Sequence, residues 1–111
     1  MRPGLAWLTI RVTGVLLAVL VLLHFAVTHL LTDVGDTGSA FVADRWQSGI
    51  VAATDWVMLV AAVLHGAAGV WTVLDDYAAP RRLAWPRRAL VVLAAAMIAI
   101  GTWTLLVVLG R

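Results

Sequence analysis

The sequence predicts an all-α integral membrane protein with three transmembrane helices. Hydrophobic residues make up 63% of its 111 residues, against about 45–50% apolar residues in soluble proteins. A membrane-spanning helix needs about 20 apolar residues, and three apolar runs reach that length, at about 10–31, 50–74 and 89–109. We interpret the whole chain, 1–111, as a single membrane domain.

The first run, 10–31, predicts a retained helix and not a cleaved signal peptide. Its apolar stretch is longer than the usual signal-peptide core of about 7–15 residues, and no small-residue cleavage site follows it. It also carries Arg11, His24 and His29. Polar side chains inside a membrane span are costly, so each of these is a candidate for a functional role.

The two connections between the runs differ in character. The first, 32–49, is polar and contains glycine, and its "FVADRWQ" stretch (41–47) predicts a short helix at the membrane surface. The second, 75–88, contains Pro80 and Pro86. Since proline cannot donate a backbone hydrogen bond inside a helix, we expect these prolines to end the second helix and delay the third.

The charged residues predict how the chain crosses the membrane. All eight cations are arginines at the ends of the apolar runs, which argues against nucleic-acid binding. Six of them lie in the N-terminal segment and the second connection: Arg2, Arg11, Arg81, Arg82, Arg87 and Arg88. The positive-inside rule therefore puts the N-terminus and 75–88 in the cytoplasm, and 32–49 and the C-terminus outside. The chain contains no cysteine, which excludes disulfides, a cysteine-ligated zinc site and a self-contained iron–sulfur cluster.

A histidine near the middle of the second run is the strongest candidate for a functional residue. His65 lies twelve positions before Tyr77, or roughly 18 Å along a helix. Gly66 and Gly69 give it a small-residue surround that lets a helix or a flat macrocycle approach. A neutral imidazole in such a groove suits an axial haem ligand. The alternative is a histidine that only hydrogen-bonds a neighbouring helix.

The polar residues of the first run have both structural and functional interpretations. Arg11 either extends to the lipid headgroups or faces inward, toward a haem propionate or a quinone carbonyl. His24 lies at nearly the depth of His65, whereas His29 lies near the opposite interface, where a simple contact with water is the structural alternative. Their separation of five positions places these two histidines on different helix faces.

An acidic pair and the single tyrosine close the second run. Asp75, Asp76 and Tyr77 either are solvated groups that balance Arg81 and Arg82, or hydrogen-bond a quinone at the mouth of a site. A tyrosine hydroxyl can donate to a quinone carbonyl, and a nearby acid can orient the tyrosine or help to supply protons. Residue chemistry alone does not separate these interpretations.

The stretch "HGAAGVWTVLDDYAAP" (65–80) resembles the second transmembrane helix of the smaller hydrophobic membrane anchor of succinate dehydrogenase, or complex II. The likeness extends to "RVT" (11–13), to the tryptophan in the outer loop, and to the size and order of the three helices. The resemblance implies that His65 is an axial ligand of haem b and that Tyr77 hydrogen-bonds ubiquinone or menaquinone, with Asp76 beside it. It also implies that Arg11 lies close to a haem propionate.

Some relatives in this family hold two haems stacked across the membrane. The two histidines of the first run therefore allow a second haem here, with His29 favoured as its ligand and His24 the alternative. The extra acid, Asp75, leaves open which aspartate takes the family's role.

The resemblance implies one subunit of a respiratory enzyme that is not catalytic alone. The expected partners are the sister anchor subunit, which supplies the other haem ligand, together with the iron–sulfur and flavoprotein subunits, in a bacterial cytoplasmic membrane. The last two dock on the cytoplasmic face, and electrons from succinate reach the quinone through them. The alternatives are the anchor of a fumarate reductase, which runs the same chemistry in reverse, and a haem-free structural or assembly subunit.

Overall fold

A computed structural model describes residues 3–77 and 83–110, and all the regular structure in these two ranges is helical. Three helices are long and apolar enough to cross a membrane, Gly4–Leu30, Gly49–Tyr77 and Ala84–Leu109, which confirms the predicted fold class. The elements are α1 (Pro3–Phe25), continued by a π-helical turn (Ala26–Leu30), a 3-10 turn (Val34–Asp36), α2 (Ser39–Trp46), α3 (Gly49–Tyr77) and α4 (Ala84–Leu109). The short α2 confirms the helix predicted from "FVADRWQ".

The predicted starts of α1 and α4 were wrong, and proline explains both errors. We expected α1 to begin near residue 10, but it begins at Pro3. We expected Pro86 to delay α4, but α4 begins at Ala84 and includes Pro86 in its first turn. The N–H groups of a first turn have no partner inside the helix, so a proline there removes no hydrogen bond. The helix α3 continues to Tyr77, three residues beyond the predicted end, and Pro80, Arg81 and Arg82 lie outside the described residues.

The first span changes its helical form shortly before its outer end. From Ala26 the backbone follows a π-helical turn, which the N–H of Leu31 closes by donating to the carbonyl of Ala26 at 3.0 Å. Such turns insert one extra residue into the helical repeat and are frequent at functional sites. This turn contains Thr28 and His29.

Small residues bring the three long helices together. The helix α1 makes its most extensive contacts with α3, and α3 also contacts α4. Among the described residues, four of the six buried apolar side chains are alanines: Ala6, Ala52, Ala61 and Ala68. At Gly101 a methyl group would collide with Leu59, so α4 approaches α3 closely there. Close approach through small residues is the usual basis of helix packing in membranes, where lipid supplies little hydrophobic drive.

Most large apolar side chains point away from the bundle. Val15, Leu22 and Trp103 are each about 70% exposed, and none of the residues of α4 is fully buried. In water such a surface would aggregate. In a bilayer it contacts lipid or another membrane protein, as the predicted membrane location requires.

Candidate functional site

The side chain of His65 lies between α3 and α1 and is held by two consecutive residues of α1. Its Nδ1 atom is 3.0 Å from the hydroxyl oxygen of Thr13. A Cβ atom placed on Gly14 would lie 3.4 Å from Cε1 of the ring. Thr13 is buried and His65 is half-buried. The "RVTG" sequence of α1 therefore provides a hydroxyl contact for the imidazole and room for its ring.

The glycines beside His65 leave open space on α3. A Cβ atom placed on Gly66 or Gly69 would meet nothing within 4 Å, apart from the helix's own neighbouring atoms. Gly66 and Gly69 were expected to leave little side-chain volume around His65, and the ring of His65 also lies close to Gly14 of α1. The open positions leave space on α3 beside an imidazole near mid-span. A half-buried imidazole bordered by open glycine positions fits the donor type and the space that a haem requires.

A cavity of about 310 Å³ lies at the end of the bundle where α1 begins and α3 ends, and its lining includes Trp7 and Trp71. Asp75 and Asp76 line it as well. Asp75 is ion-paired with Arg87 of α4, and the Arg87 guanidinium also lies 5.0 Å from the ring centre of Trp71. Both aspartates of the predicted acidic site thus line one cavity. Asp75 is balanced by Arg87 of α4, and the expected partners Arg81 and Arg82 lie outside the described residues.

Tyr77 and Arg11, the other residues predicted near this end, do not line the cavity. Tyr77 is 87% exposed and is not among the lining residues. The Arg11 guanidinium lies 4.7 Å from the ring centre of Trp7, a distance at which a cation and an aromatic face attract. The structure thus brings Asp76 to the cavity and leaves Tyr77 on the outer surface of this chain.

His24 belongs to a polar cluster centred on Asp55, in the half of the bundle that contains α2. Asp55 accepts a hydrogen bond from Trp46 Nε1 at 2.9 Å and lies 3.5 Å from Arg45 Nη2. His24 Nδ1 is 3.5 Å from the other carboxylate oxygen of Asp55, but this buried nitrogen makes no hydrogen bond. The cluster was not predicted from the sequence, because a lone aspartate near a helix start has an ordinary interfacial explanation.

His29 has different neighbours from His24, as their spacing predicts. Its Nδ1 atom is 2.7 Å from the hydroxyl oxygen of the buried Thr28. Its ring stacks on Phe25, with the two ring centres 4.7 Å apart. The residue as a whole is exposed. His29 therefore resembles His65 in having a threonine hydroxyl at Nδ1, whereas His24 is directed at a carboxylate.

Across residues 3–77 and 83–110, no group of three or more histidine, aspartate and glutamate side chains could hold a metal ion. The three histidines of the sequence also have separate environments.

Comparison with known proteins identifies the family. Residues 2–103 match the family model of the succinate dehydrogenase/fumarate reductase transmembrane subunit. A search of curated proteins found no match. The matched range contains His65, both lining aspartates and all the histidines. The chain therefore belongs to the family of transmembrane subunits of succinate dehydrogenases and fumarate reductases.

Proposed function

We propose that this chain is a membrane anchor of a succinate:quinone oxidoreductase that supplies one axial ligand of haem b and part of the quinone-reduction site. The observation that carries the proposal is the placement of His65. It lies about twelve residues from the end of a 29-residue span, beside open glycine positions, in a chain of the corresponding enzyme family.

His65 would hold the haem iron from this chain, and the sister anchor subunit would supply the other protein ligand. When bound, haem b supplies a one-electron carrier inside the membrane. Gly66 and Gly69 leave the surface of α3 free of side chains beside the ligand. Arg11 lies two positions before Thr13, the residue that contacts His65, and its guanidinium suits a propionate carboxylate.

The quinone binds at the end of α1 and α3 where Asp76 lines a cavity. Tyr77 donates a hydrogen bond to a quinone carbonyl, and Asp76 supports this hydroxyl or relays protons to it. Because Tyr77 is exposed and does not line this cavity, we place the quinone between this chain and a neighbouring one. Asp75 is the less suitable acid, because its charge is balanced by Arg87.

A second haem, held by His29, is a further part of this proposal. His29 is exposed on the bundle surface, with its Nδ1 atom beside Thr28. His24 is the weaker candidate for this ligand because its Nδ1 atom is directed at Asp55. Two haems would extend the electron path from one side of the membrane toward the other.

The arginine distribution supports an orientation for the complex. It puts the 75–88 connection on the cytoplasmic side of a bacterial membrane, and Asp76 and Tyr77 lie at that end of α3. The iron–sulfur and flavoprotein subunits dock on this face. Electrons that leave an iron–sulfur cluster there reach the quinone without crossing the membrane.

Haem quantification tests the proposal most directly. We expect the purified complex to contain one or two haems b per copy of this chain by pyridine haemochrome, and the His65→Ala variant to contain one fewer. An exposed-helix variant, Val92→Ala, serves as the control for purification and should keep the full haem content. A His65→Ala complex with unchanged haem content would contradict the ligand assignment, and a wild-type complex without haem would favour the structural or assembly role.

The direction of catalysis needs its own measurement, because succinate dehydrogenases and fumarate reductases share this family. Succinate oxidation with a ubiquinone analogue and fumarate reduction with a reduced menaquinone analogue are compared on one preparation. We expect succinate oxidation to be faster. Faster fumarate reduction would assign the chain to the anchor of a fumarate reductase.

A further inference from the structure

The threonine beside His65 has a hydrogen-bonding geometry that fixes which ring nitrogen carries a proton. The hydroxyl oxygen of Thr13 is 2.5 Å from the carbonyl oxygen of Thr9 and 3.0 Å from Nδ1 of His65. Two oxygen atoms at 2.5 Å need a proton between them, and a carbonyl has none to give. The single hydroxyl proton of Thr13 therefore goes to the carbonyl of Thr9, and the hydroxyl is an acceptor toward His65.

The protonation of the imidazole follows from this assignment. If Thr13 accepts, Nδ1 of His65 must donate, so Nδ1 carries the hydrogen of the neutral ring. Nε2 then carries a lone pair and no proton. The hydrogen bond that one ring nitrogen makes generally sets the role of the other in this way. A neutral imidazole with a free Nε2 is the form that can bind iron.

The same contact restricts the orientation of the ring. Thr13 is buried and on α1, whereas His65 is on α3, 52 positions later. Gly14 leaves just enough room for Cε1 of the ring. The hydroxyl and the glycine, one residue apart, thus face two adjacent atoms of the imidazole, Nδ1 and Cε1, whereas Nε2 lies more than 4 Å from a Cβ atom placed on Gly14.

We infer that Thr13 is a positioning residue that selects the Nδ1–H tautomer of His65 and aims its Nε2 atom at the haem iron. This inference rests on the proposed function, because it assumes that His65 is the ligand. Donation from Nδ1–H to an acceptor also makes the imidazole a stronger electron donor, which stabilises the oxidised iron. Thr13 therefore lowers the midpoint potential of the haem that His65 binds.

The first test compares Thr13→Val with Thr13→Ser in the purified complex. Valine keeps the shape of threonine and removes the hydroxyl, so we expect a more positive haem midpoint potential and altered low-spin g values in electron paramagnetic resonance. Serine restores the hydroxyl and should return both readouts to wild type. Thr104→Val is the matched control, because Thr104 also donates to the carbonyl four residues earlier but has no histidine contact. A Thr13→Val complex with wild-type potential and g values would overturn the inference.

A second test does not need a folded Thr13→Val variant. The His65→Gly complex leaves a gap that free imidazole or 1-methylimidazole can enter, and only imidazole keeps an N–H that can donate to Thr13. We expect imidazole to restore the low-spin haem spectrum at a concentration at least several-fold below that of 1-methylimidazole. If imidazole and 1-methylimidazole restore the spectrum at equal concentrations, the role of Thr13 is overturned while His65 remains the ligand. An unchanged haem spectrum in the His65→Gly complex without any added base would instead refute the proposed function itself.

Discussion

His24 and His29, the two histidines of the first span, differ in the atom that Nδ1 of each ring faces, and this contact decides whether the ring can bind a metal through Nε2. The Nδ1 atom of His29 faces the Thr28 hydroxyl at 2.7 Å, and that hydroxyl is also 2.8 Å from the carbonyl of His24. The carbonyl can only accept, so Thr28 donates to it and accepts from His29, which leaves Nε2 of His29 unprotonated. The Nδ1 atom of His24 lies instead 3.5 Å from a carboxylate oxygen of Asp55 and makes no hydrogen bond.

This difference predicts separate effects of the two substitutions on haem content. If the complex contains two haems, His29→Ala should remove one of them, because His29 is the ligand that we propose for the second haem. His24→Ala should keep both, because its ring serves the Asp55 cluster. Pyridine haemochrome quantification against protein measures the haem content of each variant. Loss of a haem from His24→Ala, with full content in His29→Ala, would reverse the assignment.

At the scale of elements, a cluster around one aspartate connects α2 to two of the spans. Asp55 lies in the second turn of α3, Arg45 and Trp46 end α2, and His24 lies near the outer end of α1. Only 14% of the Asp55 side chain and 17% of the Arg45 side chain are exposed. Removing one partner of an ion pair that is shielded to this degree destabilises the protein more than removing one partner of a surface pair. The reason is that the remaining charged partner stays buried without compensation.

We therefore expect Asp55→Ala to loosen α2 without disturbing the site at His65. Leaving the shielded Arg45 and Trp46 donors unpaired costs about 1–3 kcal/mol per group. The thermal unfolding temperature of the purified complex should fall, and a protease should cut the 32–49 connection faster, while haem content stays constant. Asp44→Ala is the matched control, since Asp44 is an exposed aspartate of α2. If both variants unfold at the wild-type temperature, the cluster does not hold α2.

For the whole molecule, the sequence predicts the three membrane spans better than it predicts the contacts between their side chains. Apolar run length is a local property, so all three spans could be predicted from it. The starts of α1 and α4 could not, since whether a proline ends a helix or begins one depends on its position in the turn. The pairing of Thr13 with His65 joins residues 52 positions apart, and no local pattern indicates it. The Asp55 cluster could not be predicted either, because its members come from three different helices.

The exposed surface of the molecule also limits what this chain can do alone. Tyr77 is 87% exposed, and the cavity at this end of the bundle is lined by Trp7, Trp71 and the two aspartates. Under the proposed function, a quinone held by Tyr77 binds at the outer surface of this chain, where a second chain can complete the site. Substitutions at this end should affect quinone reduction and leave succinate oxidation in the flavoprotein intact.

Tyr77→Phe tests this division of labour in the intact complex. Removing the hydroxyl would delete the hydrogen bond that we propose between Tyr77 and the quinone carbonyl. Such a bond contributes about 0.5–1.5 kcal/mol, so quinone reductase activity should fall by roughly two- to tenfold at limiting quinone. Succinate oxidation with an artificial acceptor that takes electrons before the membrane should be unchanged. Trp85→Phe is the control, since Trp85 is another exposed aromatic residue at the same end of the bundle. Equal loss of both activities in Tyr77→Phe would indicate failed assembly, and loss of neither would place the quinone away from Tyr77.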